Sequence, residues 1–216
     1  MSTQPSHRRT VLVFAKPPLM GLAKTRLARD LGAPAEAARI ARFLTLRTLS
    51  QVRDPRWLTR LLVTPARNRN HPTLPFRSLH PNFDTRHVQG EGNLGDRLQR
   101  GLIGAPLGHV LLVGTDTPAV TRQHIAAAFR ALRDHDVVVG PAEDGGFWLF
   151  GVSGRHSRQK LFQDVPWSSA DTLSRLLARL APSCQIATLE TLRDVDTADD
   201  LARLMHDGWP MGLHSR

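Results

Sequence analysis

Val11-Leu12-Val13-Phe14-Ala15-Lys16-Pro17-Pro18-Leu19-Met20-Gly21-Leu22-Ala23-Lys24-Thr25-Arg26-Leu27 is the stretch that decides the fold. Its first five residues form a continuous apolar run, as expected of a strand covered on both faces. A loop containing Pro and Gly follows and carries Lys16, Lys24 and Arg26. A helix is expected after it. Strand, basic loop and helix in that order form the place where α/β proteins hold phosphates, on loop amides and the positive end of the helix. Lysine usage sharpens this reading. Of 29 Lys plus Arg, only Lys16, Lys24 and Lys160 are lysine. Lysine is a compact, mobile point charge and arginine a rigid fork. Two lysines in one short loop of an arginine-rich chain mark a site that needs a small cation.

Outward from this stretch, further strand-like runs lie at residues 60–64, 86–89, 110–113, 137–140, 147–150 and 185–189. Between them, apolar residues at helical spacing mark residues 34–52, 93–103, 121–132, 169–180 and 197–205. Pro34 suits a first turn, Thr121 a cap, and Thr197 with Asp200 a capping box. Alternation of strand and helix predicts the α/β class with a mainly parallel sheet. Residues 65–84 form a long polar loop, and segments 1–9 and 207–216 read as irregular tails of one domain spanning 1–216.

The net charge of +10 and the isoelectric point near 11.4 favour anionic partners. No basic stripe interleaved with exposed aromatics is present, which argues against nucleic acid. Cys184 is the only cysteine, so neither an intrachain disulfide nor a cysteine-built zinc site can form. No apolar run approaches the ~20 residues of a membrane helix. Residues 1–10 lack a following signal-type core, and a cytoplasmic protein is expected.

Five segments can carry chemistry. Gly21-Leu22-Ala23-Lys24-Thr25 resembles part of a P-loop but lacks its two obligatory glycines, which argues against a Walker-type NTPase. Lys24 and Arg26 can still clamp phosphates, or form a solvated basic turn. Gly114-Thr115-Asp116-Thr117-Pro118 follows an apolar strand. Asp116 thus falls at a strand carboxyl end, where open parallel sheets bind ligands, and suits Mg²⁺. In Arg193-Asp194-Val195-Asp196-Thr197, alternate spacing sets Asp194 and Asp196 on one side. Only one need reach a metal, and Asp196 is preferred. Glu143-Asp144-Gly145-Gly146 reads as a hairpin turn that can also lie against a ligand. Asp144, with Glu143 second, is the candidate base for an acceptor hydroxyl. In Gln89-Gly90-Glu91-Gly92-Asn93-Leu94-Gly95, the glycines match Rossmann spacing, but no clear partner acid follows and a dinucleotide reading is not adopted. Gly90 and Gly92 offer backbone surface to a ligand, and Gln89 and Asn93 can hydrogen-bond a base or sugar.

Taken in order, residues 14–18 through 24–27, 89–95, 114–118, 140–146, Pro166-Trp167-Ser168-Ser169 and 194–197 resemble a bacterial family of GT-A-superfamily transferases. Formerly a domain of unknown function, this family is labelled arsenosugar-biosynthesis-type glycosyltransferase and is related to molybdopterin and phospholactate nucleotidyltransferases. The resemblance implies a three-layer α/β/α sandwich with a mainly parallel mixed sheet, the nucleotide-diphospho-sugar transferase (GT-A) fold. It implies that Asp116 and Asp196 are carboxylates for Mg²⁺ or Mn²⁺, and that Lys16, Lys24 and Arg26 face phosphates. Asn93 stands where the family pattern has an acid, and Phe147-Trp148 replaces its tyrosines. The expected activity is a Mg²⁺-dependent transferase using a nucleotide-sugar donor and a small-molecule acceptor. The alternatives are a nucleotidyltransferase that releases pyrophosphate and a non-catalytic nucleotide-binding module.

Overall fold

The computed structural model describes residues 9–74, 86–167 and 169–209. In chain order the elements are β1 (Arg9–Ala15), α1 (Thr25–Leu31), α2 (Pro34–Gln51), β2 (Leu58–Val63), a 3-10 turn (Ala66–Asn68), β3 (His87–Val88), α3 (Leu94–Gly104), β4 (His109–Val113), α4 (Arg122–Ala131), β5 (Val137–Pro141), β6 (Phe147–Val152), α5 (Thr172–Leu180), β7 (Ile186–Thr188) and α6 (Ala198–His206). The strands form one seven-stranded sheet in the order β3-β2-β1-β4-β6-β5-β7. β6 runs antiparallel to β4 and β5, and every other pairing is parallel.

Strand periodicity explains the layers. On β1, Val11, Val13 and Ala15 point to one face and pack with Leu49, Trp57 and the α4 residues Ile125, Ala128 and Phe129. Leu12 points to the other face and joins Leu98 and Leu102 of α3 with Leu173, Leu176 and Leu180 of α5. Helices therefore cover both sides of the sheet, giving a three-layer α/β/α sandwich with a mixed, mainly parallel sheet. Each fully buried aliphatic side chain contributes roughly 1.5–3 kcal/mol. A third, smaller cluster joins Leu27 of α1, Ile40 and Leu44 of α2, Val195, and Leu201 and Leu204 of α6. It fastens the end of the described chain onto the helix that follows the basic loop.

Local sequence sets the element ends. Thr121 and Thr197 cap α4 and α6 with capping boxes completed by His124 and Asp200. Gly32 closes α1 in a left-handed conformation and Pro34 opens α2 at its first turn. The sequence reading did not separate α1 from the helix after it, because seven residues carry too little periodicity. The helix expected over 169–180 begins at Thr172, whose hydroxyl donates to the Pro166 carbonyl at 2.8 Å and accepts from the Ser169 amide. The strand expected over 86–89 is reduced to two residues at the sheet edge. Residues 75–84 of the long loop, Ser168 and most of both expected tails lie outside the described residues.

The topology places a crevice. From β1 the chain moves through β2 to β3 on one side, then returns to lay β4 on the other side of β1. Open α/β sheets bind ligands outside the strand carboxyl ends at such a reversal. Lys16 follows β1 and Asp116 lies just beyond β4, so both fall at this point.

A candidate nucleotide-binding site at the sheet reversal

A cavity of about 560 Å³ opens beside the carboxyl ends of β1 and β4. Lys16, Lys24, Arg26, Gln89, Arg97, Asp116 and Asp196 contribute its polar lining, and Phe14, Leu94, Leu98 and Phe147 form apolar walls.

Lys24 lies at the centre of the polar lining. It caps α1 in left-handed backbone (φ 52°, ψ 44°), and its side chain is only 5% exposed. Its Nζ pairs with Asp116 Oδ1 and, at 2.8 Å, with Asp196 Oδ1. Burial pulls the ammonium pKa down, but attraction from Asp116 and Asp196 outweighs it, leaving Lys24 above the usual lysine range. The two carboxylates remain open to solvent, at 52% and 42% exposure.

Backbone geometry brings the acids together. The Val195 amide donates to the Asp116 carbonyl at 3.0 Å, tying residues 194–196 to the segment after β4. Val195 buries its side chain among α1, α2 and α6. That anchor leaves its two neighbours, Asp194 and Asp196, with different partners. Asp196 reaches Lys24, and Asp194 Oδ1 accepts from the Thr117 hydroxyl at 2.6 Å.

Asp194 is pushed up to about 7 from the ordinary 3.8. Burial is the largest cause, the Thr117 hydrogen bond opposes it, and Asp144, Asp116 and Asp196 add repulsion. A carboxyl that holds its proton in the folded state contributes stability that is complete below 3.8 and lost as pH rises through about 7. Thermal melts should therefore fall between about pH 4 and about pH 7 and level off above that. Asp194→Asn keeps an acceptor for Thr117 and should flatten that slope. A slope unchanged by the substitution would show that another group carries it.

The other anticipated residues are placed as follows. Lys16 and Arg26 line the cavity and, among the described residues, make no ion pair. Gln89 is buried, and its Nε2 donates to the carbonyls of Ala15 and Leu62, so this amide locks β3 against β1 and β2. Asn93 caps α3, with Oδ1 accepting from the Asp96 amide at 3.0 Å, and the Asp96 side chain accepts from the Asn93 amide. Gly90 and Gly92 lie in a loop that Arg100 holds through the carbonyls of Gln89 and Glu91. Glu143 pairs with Arg193 at 2.9 Å. Asp144 accepts from the Gly146 amide within the β5–β6 turn and is not part of the cavity wall. Gly145 and Gly146 form that turn, with the Gly145 carbonyl accepting from Leu173 at the start of α5.

Arg97, to which the sequence motifs assign no role, reaches the cavity from α3. Its Nε is buried without a hydrogen-bond partner, whereas buried donors are normally satisfied. Helical spacing carried the signal, since Leu94 and Leu98 flank Arg97 on the inward side of α3. Arg97→Ala should weaken binding of an anionic ligand about tenfold, the cost of one charge-assisted hydrogen bond, with little change in melting temperature. Isothermal calorimetry with nucleoside diphosphates checks this.

The comparisons agree with this architecture. The family model described as "Uncharacterized protein conserved in bacteria (DUF2064)" matches residues 47–169. A provisionally named nucleotide-diphospho-sugar transferase from Desulfovibrio desulfuricans superposes with a TM-score of 0.82 at 25% identity, over 94% of this chain and 88% of its own. 4-Diphosphocytidyl-2C-methyl-D-erythritol synthase from Anaerococcus prevotii gives 0.60 at 11% identity, over 90% and 95%. A Mycobacterium tuberculosis protein crystallised with manganese gives 0.55 at 17% identity, over 92% and 98%. No curated protein matches the chain in sequence. The chain thus has the nucleotide-diphospho-sugar transferase fold.

Proposed function

Because the chain belongs to the bacterial family whose model spans residues 47–169, and its cavity lies where this fold reverses strand order, we propose that it is a Mg²⁺-dependent transferase using a nucleotide-sugar donor. One observation carries the reading. Asp116 and Asp196, far apart in sequence, converge on one cationic atom at the wall of a cavity also lined by Lys16, Arg26 and Arg97. Among the described residues no group of three or more His, Cys, Asp or Glu could hold a metal alone. A two-carboxylate centre suits Mg²⁺ or Mn²⁺, which take one or two carboxylates and leave other positions to water and phosphate oxygens. The manganese-containing neighbour supports the same choice. Bound there, the cation would supply Lewis-acid stabilisation of the charge on the leaving nucleoside diphosphate. Lys16 and Arg26 offer that phosphate ammonium and guanidinium donors, and Phe14, Leu94 and Leu98 exclude water beside it. Asp144 takes the acceptor side as candidate base, with Glu143 second.

A second reading, nucleotidyl transfer with pyrophosphate release, draws support from one placement. Asp144 lies outside the cavity wall and Glu143 is held by Arg193. A phosphorylated acceptor is already anionic and needs no base. Ligands stabilise by mass action, so a thermal-shift panel of nucleotides and nucleotide sugars with and without Mg²⁺ ranks donors. Nucleoside diphosphate released only with acceptor supports sugar transfer, and pyrophosphate released from triphosphates supports the second reading. Absence of metal-dependent stabilisation by any nucleotide would sink both.

A further inference from the structure

The Lys24 ammonium lies between the two carboxylates to which the proposed function assigns a divalent cation. Its Nζ pairs with Asp116 Oδ1 and Asp196 Oδ1 together, while the side chain is almost wholly withdrawn from solvent. Its backbone is fixed in a left-handed conformation at the start of α1. α1 is in turn anchored through Leu27 to the cluster that buries Val195, between the two acids of the 194–196 segment. Ammonium and carboxylates are therefore held against each other by one packed unit. The cavity's other cations, Lys16, Arg26 and Arg97, make no ion pair among the described residues, so Lys24 alone neutralises the acids.

We propose that Lys24 is a built-in counter-ion that competes with the divalent metal, and that metal entry between Asp116 and Asp196 releases its ammonium into the phosphate-binding cavity. This rests on the metal reading above. The physical reason is charge balance. Two carboxylates facing a compact cation cannot hold Lys24 and a divalent ion at full strength together, because the two cations repel at close range. Lysine suits the role better than arginine, since a flexible four-carbon stem can swing where a rigid bidentate fork would stay locked. With no metal bound, the site is closed by its own side chain and the acids do not repel one another. With metal bound, a cation that was engaged becomes available at the cavity wall, where Lys24 is already a lining residue. Metal and anionic donor would then favour each other's binding, since each is served by the same movement, and such coupling is reciprocal.

The small number of lysines makes the movement directly readable. In the wild-type chain, an amine-reactive label followed by peptide mass spectrometry reports on Lys16, Lys24 and Lys160 separately. Without metal, Lys24 should be protected relative to the exposed Lys16 and Lys160. Saturating Mn²⁺ should raise Lys24 labelling at least fivefold and leave Lys160 unchanged. In parallel, Lys24→Met should bind Mn²⁺ at least fivefold more tightly than wild type by calorimetry without nucleotide, the low end of ordinary coupling between sites. Lys24→Gln serves the same purpose should the methionine variant fold poorly. Mn²⁺ binding to the wild-type chain without a rise in Lys24 labelling would overturn the inference alone. So would Mn²⁺ affinity in the variant that is equal to or weaker than wild type. No Mn²⁺ binding to either protein would overturn the metal reading and this inference with it.

Discussion

Asp116→Asn abolishes metal-dependent nucleotide binding and leaves the fold intact: that is the largest functional effect expected of any single substitution. Removing even a supporting partner around a metal costs 10–100-fold in affinity, so loss of a direct carboxylate should cost about a hundredfold or more. The fold should tolerate the change. The side chain is half exposed, and the link to the 194–196 segment runs through the Asp116 main-chain carbonyl, which the substitution keeps. Calorimetry of Mg²⁺-nucleotide binding, beside a thermal melt, separates the two effects. Unchanged Mg²⁺-nucleotide affinity would remove Asp116 from the metal site. Asp196→Asn should act in the same direction more weakly, since Asp196 is the supporting carboxylate.

Gly145→Ala should produce the largest loss of stability, roughly 3 kcal/mol, through two separate causes. Gly145 has φ 85°, a left-handed conformation that costs a side-chain-bearing residue about 1–3 kcal/mol. A Cβ there would also land on the Ala170 main-chain carbonyl, which cannot rotate aside as a flexible side chain could. The Gly145 carbonyl accepts from Leu173 at 3.0 Å, so relief by moving the turn would loosen the start of α5. Gly114→Ala is the control. A Cβ at Gly114 meets nothing within 4 Å, and its backbone is not left-handed, so its melt should match wild type. Equal denaturation midpoints for the Gly145 and Gly114 variants would show that the β5–β6 turn accommodates the added methyl.

Much of this molecule is written in local pattern. Continuous apolar runs at β1, β4 and β5 announce strands buried on both faces, and Thr121 and Thr197 announce helix starts. The acids at 116 and 196 were legible because one follows a strand and the other precedes a capped helix, positions fixed by α/β connectivity. What sequence could not show was partner choice. Lys24 reads as a phosphate ligand, yet in the structure it is engaged by both acids, an arrangement that depends on the packing of Val195. Gln89 and Asn93 read as ligand contacts, yet their side chains satisfy main-chain groups of the protein itself. Arg97 carried only helical spacing as a signal, and an arginine on the inward side of a helix is not distinguishable from a solvated one until the cavity is seen.

The cluster around Leu27 and Val195 has a consequence for biosynthesis. Its members come from the first two helices after β1 and from the segment around α6, the last helix described. While the ribosome is still translating the middle strands, Lys24 has neither Asp116 nor Asp196 to answer it. The full pairing of Lys24 therefore arrives late, when α6 docks and brings residue 196 to it. A nascent polypeptide short of that moment can hold most of its sheet while the Lys24 ammonium still lacks its second carboxylate.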